Sequence, residues 1–595
     1  MDDKYLIAAG GTGALCASAF IHMAAAGCAE QNTIYHVLLI DKDKQSDAMT
    51  SCQNLLSNYN DLRRQMGKKA GTLTFPEIRI HTWNFTDEIL DEYQKQTGKS
   101  PTNLDNLTLQ ELLNSGKDPT VQQLLDTMYS PEELATNLEK GFYGHPNIGA
   151  PVFDYVRDRF LAPSVDRANG TKAYNTFMQS LIATLQKDKA YVYLLGSLFG
   201  GTGATVIPNV VLALQTLKNG TTNLVLGAAV LMPYFRLPVC PSDSVEAVAK
   251  VSPSDSKFEK QTKEALYYYE ESDLLGKMMN LMLIGTAELD VTSEMYARGG
   301  SQTQHFHMVH MLAATSANRF FANQLGKMEG NITENVPTSP LGELLVWKID
   351  PEMNGSFKTL TRKELGLTQE HDKMMHFLRF SVVVAYYMAL KFSQKCEIVK
   401  NNVEVLGTYK QLCDANGTPL NLKWNQVGDS IITDYYQVPV EKAGAICRDY
   451  ITFLRDIALS GYDWSQYREM VKTSESQEVS GKTYYRYEQG SVNPQAAAGF
   501  MSRWVDLANL GGLETLLQDT TPQRVVDSMT LNELCSFNMA DSQRAPITET
   551  KYPRNIGTVY TDKTLHELGL YTHWGRIKND RVDFSQIYDQ LYKVC

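Results

Sequence analysis

The sequence predicts an α/β fold built on a parallel sheet, from three observations. From Met1 to about residue 60 the chain reads strand, loop, helix, strand, with the second strand YHVLLID ending at Asp41. That is the opening of a βαβ unit. Two glycine-rich turns, Gly10–Gly13 and Gly200–Gly203, each follow an apolar run and lead into a helical segment. Farther along, NLVLGAAVLMPYF and NLMLIG are near-continuous apolar stretches, the pattern of strands covered on both faces.

Each element follows from its local pattern. YLIAAGGTGALCASAFIHMAAAG delivers a strand to Gly10, Gly11, Thr12 and Gly13 and then a helix; YVYLLGSLFGGTGATVIPNVVLAL repeats the arrangement at Gly200, Gly201, Thr202 and Gly203. Glycines let backbone N–H groups converge on an anion, and the following helix adds its positive end. Two such cradles suit one ligand with several phosphates. Residues of about 85 to 140 are polar, with helical pieces TLQELLN and TVQQLLDTM, and about 60 to 140 read as a partly helical insertion. GFYGHPNIGAPVFDYV resumes the core, and KFEKQTKEALYYYEE is an amphipathic helix. From His305 to Leu325 the positions Phe306, Val309, Ala313, Ala317, Phe320 and Phe321 recur at helical spacing, which predicts a long helix against the sheet.

At 595 residues and 43% hydrophobic content, the chain has material for about two to four domains. Its net charge is −11 and its Lys and Arg are not clustered, which predicts no nucleic-acid partner. Nine scattered cysteines without a Cys-x-x-Cys pair fit a reducing compartment, hence a cytoplasmic protein. MDDKYLIAAGG lacks a basic leader and reads as a folded strand. FLRFSVVVAYYMALKF, with Arg379 inside it, is shorter than the roughly 20 residues a bilayer needs and predicts a buried helix, so no membrane segment is expected.

Taken in order, these motifs resemble the tubulin/FtsZ family of GTP-binding proteins. LFGGTGATVIP is similar to the family's GGGTGTGAAP loop through Gly200, Gly201, Thr202, Gly203 and Pro208. Phe199 and Thr205 stand where that family usually has glycine, and their side chains are expected to narrow the approach to phosphate. Gly10 to Gly13 resemble its first phosphate loop, and Asp41-Lys42-Asp43 its second, which begins with an acid. GHPNIGAPV resembles its third loop through Gly144, Pro146 and Gly149. VLMPYF resembles the TKPF segment, and Phe258-Glu259-Lys260 the FEGKR helix start.

The resemblance covers roughly residues 1 to 325. It implies a Rossmann-like GTPase domain over 1–325, a long central helix leading into an α+β domain over 326–460, and a mostly helical extension over 461–595. It implies GTP or GDP as ligand with Mg²⁺ near Asp41 and Asp43, and head-to-tail self-assembly into filaments or oligomers, with a protein partner on the C-terminal half. Gly10, Gly11, Thr12 and Gly13 would approach the α and β phosphates, with Gly144 and Asn147 in the third loop. Gly200, Gly201, Thr202, Gly203 and Ala204 would wrap the phosphate chain, and Glu259 would reach the ribose. Phe306 and His310 have the four-residue spacing of the family's base-stacking aromatic and its guanine-reading Asn or Asp.

Hydrolysis in the family uses an NxDxxD loop after the central helix. Here the helix leads into GKMEGNITENVPTSPLGELL, where Glu334 is the candidate carboxylate and Asp350 lies farther on, neither with the family's spacing. A GTPase slow or dependent on a partner follows. The alternative is a Rossmann-type NAD(P)-dependent oxidoreductase, with Gly10, Gly11 and Gly13 on the pyrophosphate and Asp41 on the ribose. It leaves the second glycine turn without a task and lacks a Tyr-x-x-x-Lys set. Plainer roles stand beside these: Asp41 as a turn cap, Pro146 and Gly149 as loop punctuation, Glu259 as a solvated helix start, and Tyr267 to Tyr269 as core. His305, His307 and His310 have no completing ligand for a metal.

Overall fold

The computed structural model describes most of residues 2–322, strands at 333–337 and 343–349, helical turns within 370–381, the helix Val438–Ala458, and short strands between 476 and 485 and between 577 and 582. The chain opens with β1 (Asp2–Ala9), α1 (Gly10–Ala25), β2 (Thr33–Ile40), α2 (Asp47–Met66) and β3 (Glu77–Trp83). Four helices follow: α3 (Thr86–Thr97), α4 (Leu109–Leu113), α5 (Pro119–Met128) and α6 (Pro131–Leu134). Next come α7 (Pro146–Leu161), α8 (Lys172–Leu185), β4 (Ala190–Ser197), α9 (Gly201–Leu217), β5 (Leu224–Leu231) and β6 (Phe235–Arg236). After these lie α10 (Asp255–Glu271), α11 (Leu274–Lys277), β7 (Asn280–Thr286), β8 (Asp290–Val291) and α12 (Met308–Phe321). The strands β9 (Thr333–Pro337) and β10 (Glu343–Ile349) precede α13 (Val438–Ala458).

One sheet runs β3-β2-β1-β4-β5-β7-β10-β9. Its pairings are parallel throughout except for the antiparallel edge pair β10–β9. The α/β, Rossmann-like arrangement expected from the apolar runs is therefore present. Helices cover both faces. On one, Leu194 belongs to the core that includes Ile148 and Val152 of α7 and Val206, Ile207 and Val210 of α9. On the other, its neighbour Tyr193 donates to Ser316 Oγ of α12 (3.0 Å) and packs against Phe320. Alternation along a strand requires this division. Helix α1 is apolar on every side, and all of it except Gly11 and Thr12 is buried, as befits a helix enclosed by sheet, α2 and α12.

The structure departs from the sequence-based expectations in three places. The sheet takes β3 from within the expected insertion of 60–140, ahead of its polar part, so the insertion proper begins after Trp83. It also continues past residue 325, because β10 pairs with β7 from Glu343↔Asn280 to Ile349↔Thr286. Of the three consecutive tyrosines only Tyr269 is core: Tyr267 is 68% and Tyr268 41% exposed. Residues a helix step apart point about 100° from one another, so three in a row cannot share one face.

Helix α13 packs across α1, α2 and the start of α12. Asn58 Nδ2 donates to Asp449 Oδ2 (2.8 Å), Tyr450 OH donates to the Met374 carbonyl, and the Phe453 ring stacks on His22 at 4.6 Å. Of the apolar stretch from Phe377 to Phe392, the helical residues Phe377 and Phe380 are buried, with Phe377 edge-on to Tyr450; the segment after Ser381 lies outside the described residues. Among the described residues no helix is long and apolar enough to cross a membrane.

His22 sits fully buried inside α1, and burial pulls its pKa down to about 3. The unfolded chain, with His near its ordinary value of about 6.5, then takes up the proton first. His22 thus contributes stability that is complete above about pH 6.5 and lost as pH falls toward 3, at about 1 kcal/mol per pH unit. Thermal denaturation followed from about pH 7 to pH 5 should show a falling midpoint, and His22→Phe should flatten that slope.

Candidate site at the paired glycine turns

The order of strands decides where the two turns lie. β1 and β4 are neighbours in register, Ala8 opposite Leu195, while β2 flanks β1 with Ile40 opposite Ala9. The carboxyl ends of β1, β2 and β4 therefore finish side by side. Chain leaving β1 goes toward β2, and chain leaving β4 goes toward β5, so the boundary between β1 and β4 is a topological switch point.

Both turns meet there. Gly10 has φ +72°, a conformation that glycine adopts freely, and a Cβ built on it would lie 3.1 Å from Thr202 Cβ and 3.4 Å from Gly203 N. The first turn thus rests directly on the second. Gly13 seats α1 on the sheet: a Cβ there would come within 2.8 Å of the Leu195 carbonyl and 2.9 Å of Ala8 C. Neither helix carries an acid in its first turn, and α1 has no side-chain cap. Two positive helix ends converge, with Gly11, Thr12 and Gly200 as the partly exposed positions; Gly10, Gly13, Gly201, Thr202, Gly203 and Ala204 are buried.

Asp41 and the third segment are built into the same junction. Thr202 Oγ1 donates to Asp41 Oδ1 (3.1 Å), and the Asp41 N–H donates to the Trp83 carbonyl (3.3 Å). Lys42 is buried, its Nζ donating to the Leu138 carbonyl in the insertion. Asn147 and Gly149 lie in the first turns of α7, where a Cβ on Gly149 would sit 3.2 Å from the Gly201 carbonyl. Asn147 is exposed, and its amide donates to Glu133 Oε1 (2.7 Å).

Phe199 and Thr205 do not narrow the exposed rim. Phe199 is 3% exposed and turns into an aromatic cluster, with Phe258 at 5.0 Å, Phe235 at 5.6 Å and Tyr234 at 5.9 Å between ring centroids. Thr205 is 2% exposed, and its hydroxyl lies 2.7 Å from the Gly201 carbonyl. Both side chains point inward because α9 begins at Gly201 and its first turn is enclosed by β4 and α7.

The start of α12 is organised by two histidines. His307 Nδ1 accepts from the Val309 N–H (3.2 Å) and His310 Nδ1 accepts from the His307 N–H (3.0 Å), a reciprocal capping box. His310 Nε2–H is then the donor to Tyr234 OH at 2.9 Å. Burial pulls the His310 pKa down to about 3, in keeping with this neutral tautomer. His310 therefore caps a helix and faces Tyr234. Phe306 is half-buried, packed with Ala14, Leu15 and Ala48 near the first turn and ringed by His22 and Phe453. Its N–H donates to Asp456 Oδ2 of α13 (3.4 Å).

Two of the remaining candidates are described. Glu259 is exposed on α10. Glu334 falls on β9, opposite Val346 of β10. Asp43, Gly144, His305 and Asp350 lie outside the described residues. Sequence reasoning missed Tyr234, Glu133, Phe453 and Asp456. Only Glu133 had a local signal, the Ser130-x-x-Glu133 capping pattern; the others arrive through tertiary contact.

Gly13→Ala should be the costly glycine substitution, because its Cβ meets main chain on two sides that cannot swing away. A loss of about 1–3 kcal/mol in chemical denaturation is expected, whereas Gly116→Ala, with open space around it, should cost far less. No protein-family model matches this chain, and no curated protein matches its sequence.

Proposed function

We propose that this chain binds a guanine nucleotide, GTP or GDP with Mg²⁺, at the paired turns, in the manner of the tubulin/FtsZ family it resembles. In this proposal it self-associates head to tail in a nucleotide-dependent way, with hydrolysis slow or dependent on a partner. The observation that carries it is the contact of Gly10 with Thr202 and Gly203. One polyphosphate can be held from both sides only if distant segments of chain present their amides to a shared space.

The residues present fit such a group. Main-chain N–H groups at two helix starts supply donors, and no first-turn acid opposes an anion. Asp41 is the carboxylate at the junction, and Mg²⁺ commonly takes one or two carboxylates together with phosphate oxygens. When bound, the ion would screen the charge of the phosphates. Thr202 holds Asp41 in place, and Phe306, partly buried beside Ala14 and Leu15 of α1, is the aromatic on which the base would stack in this reading.

The dinucleotide alternative is supported by the strand order and by Gly13, whose close packing is what a pyrophosphate-binding βα turn requires. The second glycine turn weighs against it: a dinucleotide site at the first turn leaves that turn without a task, although it is packed against Gly10.

Full-length protein, denatured to release what it carries, should yield guanine nucleotide on anion-exchange chromatography; nicotinamide dinucleotide would favour the alternative. Thr202→Val keeps the shape and removes the hydrogen bond to Asp41. It should weaken Mg²⁺-GTP binding about tenfold, the order expected for one buried hydrogen bond to a charged group. GTP-dependent sedimentation with phosphate release measured alongside tests the assembly: pelleting without turnover is expected, and no pelleting at any nucleotide state would remove self-association from the proposal.

A further inference from the structure

The insertion is attached to the junction through a carboxylate whose two oxygens do different work. Glu133 Oε2 accepts from the Ser130 N–H (2.9 Å) while the Glu133 N–H donates to Ser130 Oγ (3.2 Å). That is an ordinary capping box at the start of α6. Glu133 Oε1 is not needed for the cap. It accepts from Asn147 Nδ2 at 2.7 Å and lies 3.6 Å from His145 Nδ1. One oxygen thereby holds the residues on both sides of Pro146, and Tyr129 OH adds a bond to the Asn147 carbonyl (3.1 Å).

Pro146 in turn reaches the second glycine turn. Its carbonyl is 3.3 Å from Thr205 Oγ1, the same hydroxyl that donates to the Gly201 carbonyl at 2.7 Å. A hydroxyl has one proton, so these two carbonyls share it. Gly149 closes the contact, its Cα facing the Gly201 carbonyl and the Thr205 hydroxyl too closely for a Cβ to enter. The chain of contacts runs from Glu133 to Asn147 and His145, then Pro146, Thr205 and Gly201.

We infer that Glu133, on the insertion, is a positioning residue for the second glycine turn, acting through the start of α7 and the Thr205 hydroxyl. It rests on the proposed polyphosphate site for its consequence, but not for its geometry. Glu133 is separated from the turn by Asn147, Pro146 and Thr205. Its role is to hold the Gly201 carbonyl back, so that the N–H groups of the turn stay directed at the shared space beside Gly11 and Thr12.

The test uses full-length protein with two readouts: hydrogen–deuterium exchange of peptides covering residues 198–206, and affinity for a fluorescent GTP analogue with Mg²⁺. Glu133→Ala should speed exchange in that turn at least about fivefold, as expected when a local restraint is lost. It should weaken the analogue about tenfold, the order of one lost charged hydrogen bond. Glu133→Gln, which keeps an oxygen for Asn147, should remain near wild type in both, and so should Ser130→Ala, which removes the helix cap and the serine's contact with the carboxylate but leaves Oε1 to Asn147. Thr205→Val should reproduce Glu133→Ala, and Thr205→Ser should restore wild-type behaviour. If Ser130→Ala gives the same change as Glu133→Ala, or if Glu133→Ala and Thr205→Val leave exchange in the turn unaltered, the assignment is overturned. Faster exchange in both variants of a protein that takes up no guanine nucleotide would uphold the positioning role and overturn the ligand instead.

Discussion

The contact of Gly10 with Thr202 is the constraint from which the rest of the junction follows. It exists because β1 and β4 are adjacent parallel strands whose outgoing connections diverge. A crevice forms wherever strand order reverses in this way, and here the two turns that border it press together. Gly10 must be in the left-handed region to send α1 back along the sheet, and Gly13 must lack a side chain for α1 to settle on β1 and β4. With those two conditions met, the burial of α1 exempts only Gly11 and Thr12.

The electrostatics of the junction are arranged around neutral groups and main-chain dipoles. Two helix starts direct partial positive charge into one region without acids in their first turns. The third helix start nearby, that of α12, is capped by His307 and His310, both kept neutral by burial. A carboxylate stands just before that start, where Asp456 Oδ2 accepts from the Phe306 N–H. Asp41 is the acid kept at the junction, and Thr202 fixes its orientation.

Phe199 and Thr205 illustrate how a departure from a glycine-rich pattern is absorbed. Each adds a side chain to a turn that works by close backbone approach, and each sends it inward. Phe199 anchors the aromatic cluster joining β5, α10 and the start of α12; Thr205 joins the turn to α7. The turn is thereby braced from two sides, by packing on one and by hydrogen bonding on the other. The insertion is braced to it as well, through Lys42 with Leu138 and Glu133 with Asn147.

Sequence alone determined the parallel α/β sheet, the two turns and the helices that follow them, because these depend on local patterns: apolar runs too continuous for one-sided strands, and glycines at strand ends. It also carried the amphipathic character of α10 and the helical spacing from Val309 to Phe321, whereas Phe306 falls before α12, which begins at Met308. Only the tertiary structure decided that the turns touch, since adjacency of β1 and β4 is a matter of strand order and leaves no local trace. The same holds for β3 as an edge strand inside the expected insertion, for His310 as a cap bonded to Tyr234, and for α13 bringing Phe453 and Asp456 to Phe306 from far along the chain. Periodicity records which face of an element is buried; it does not record what buries it, and the partners of these residues are fixed by packing between segments that share no sequence neighbourhood.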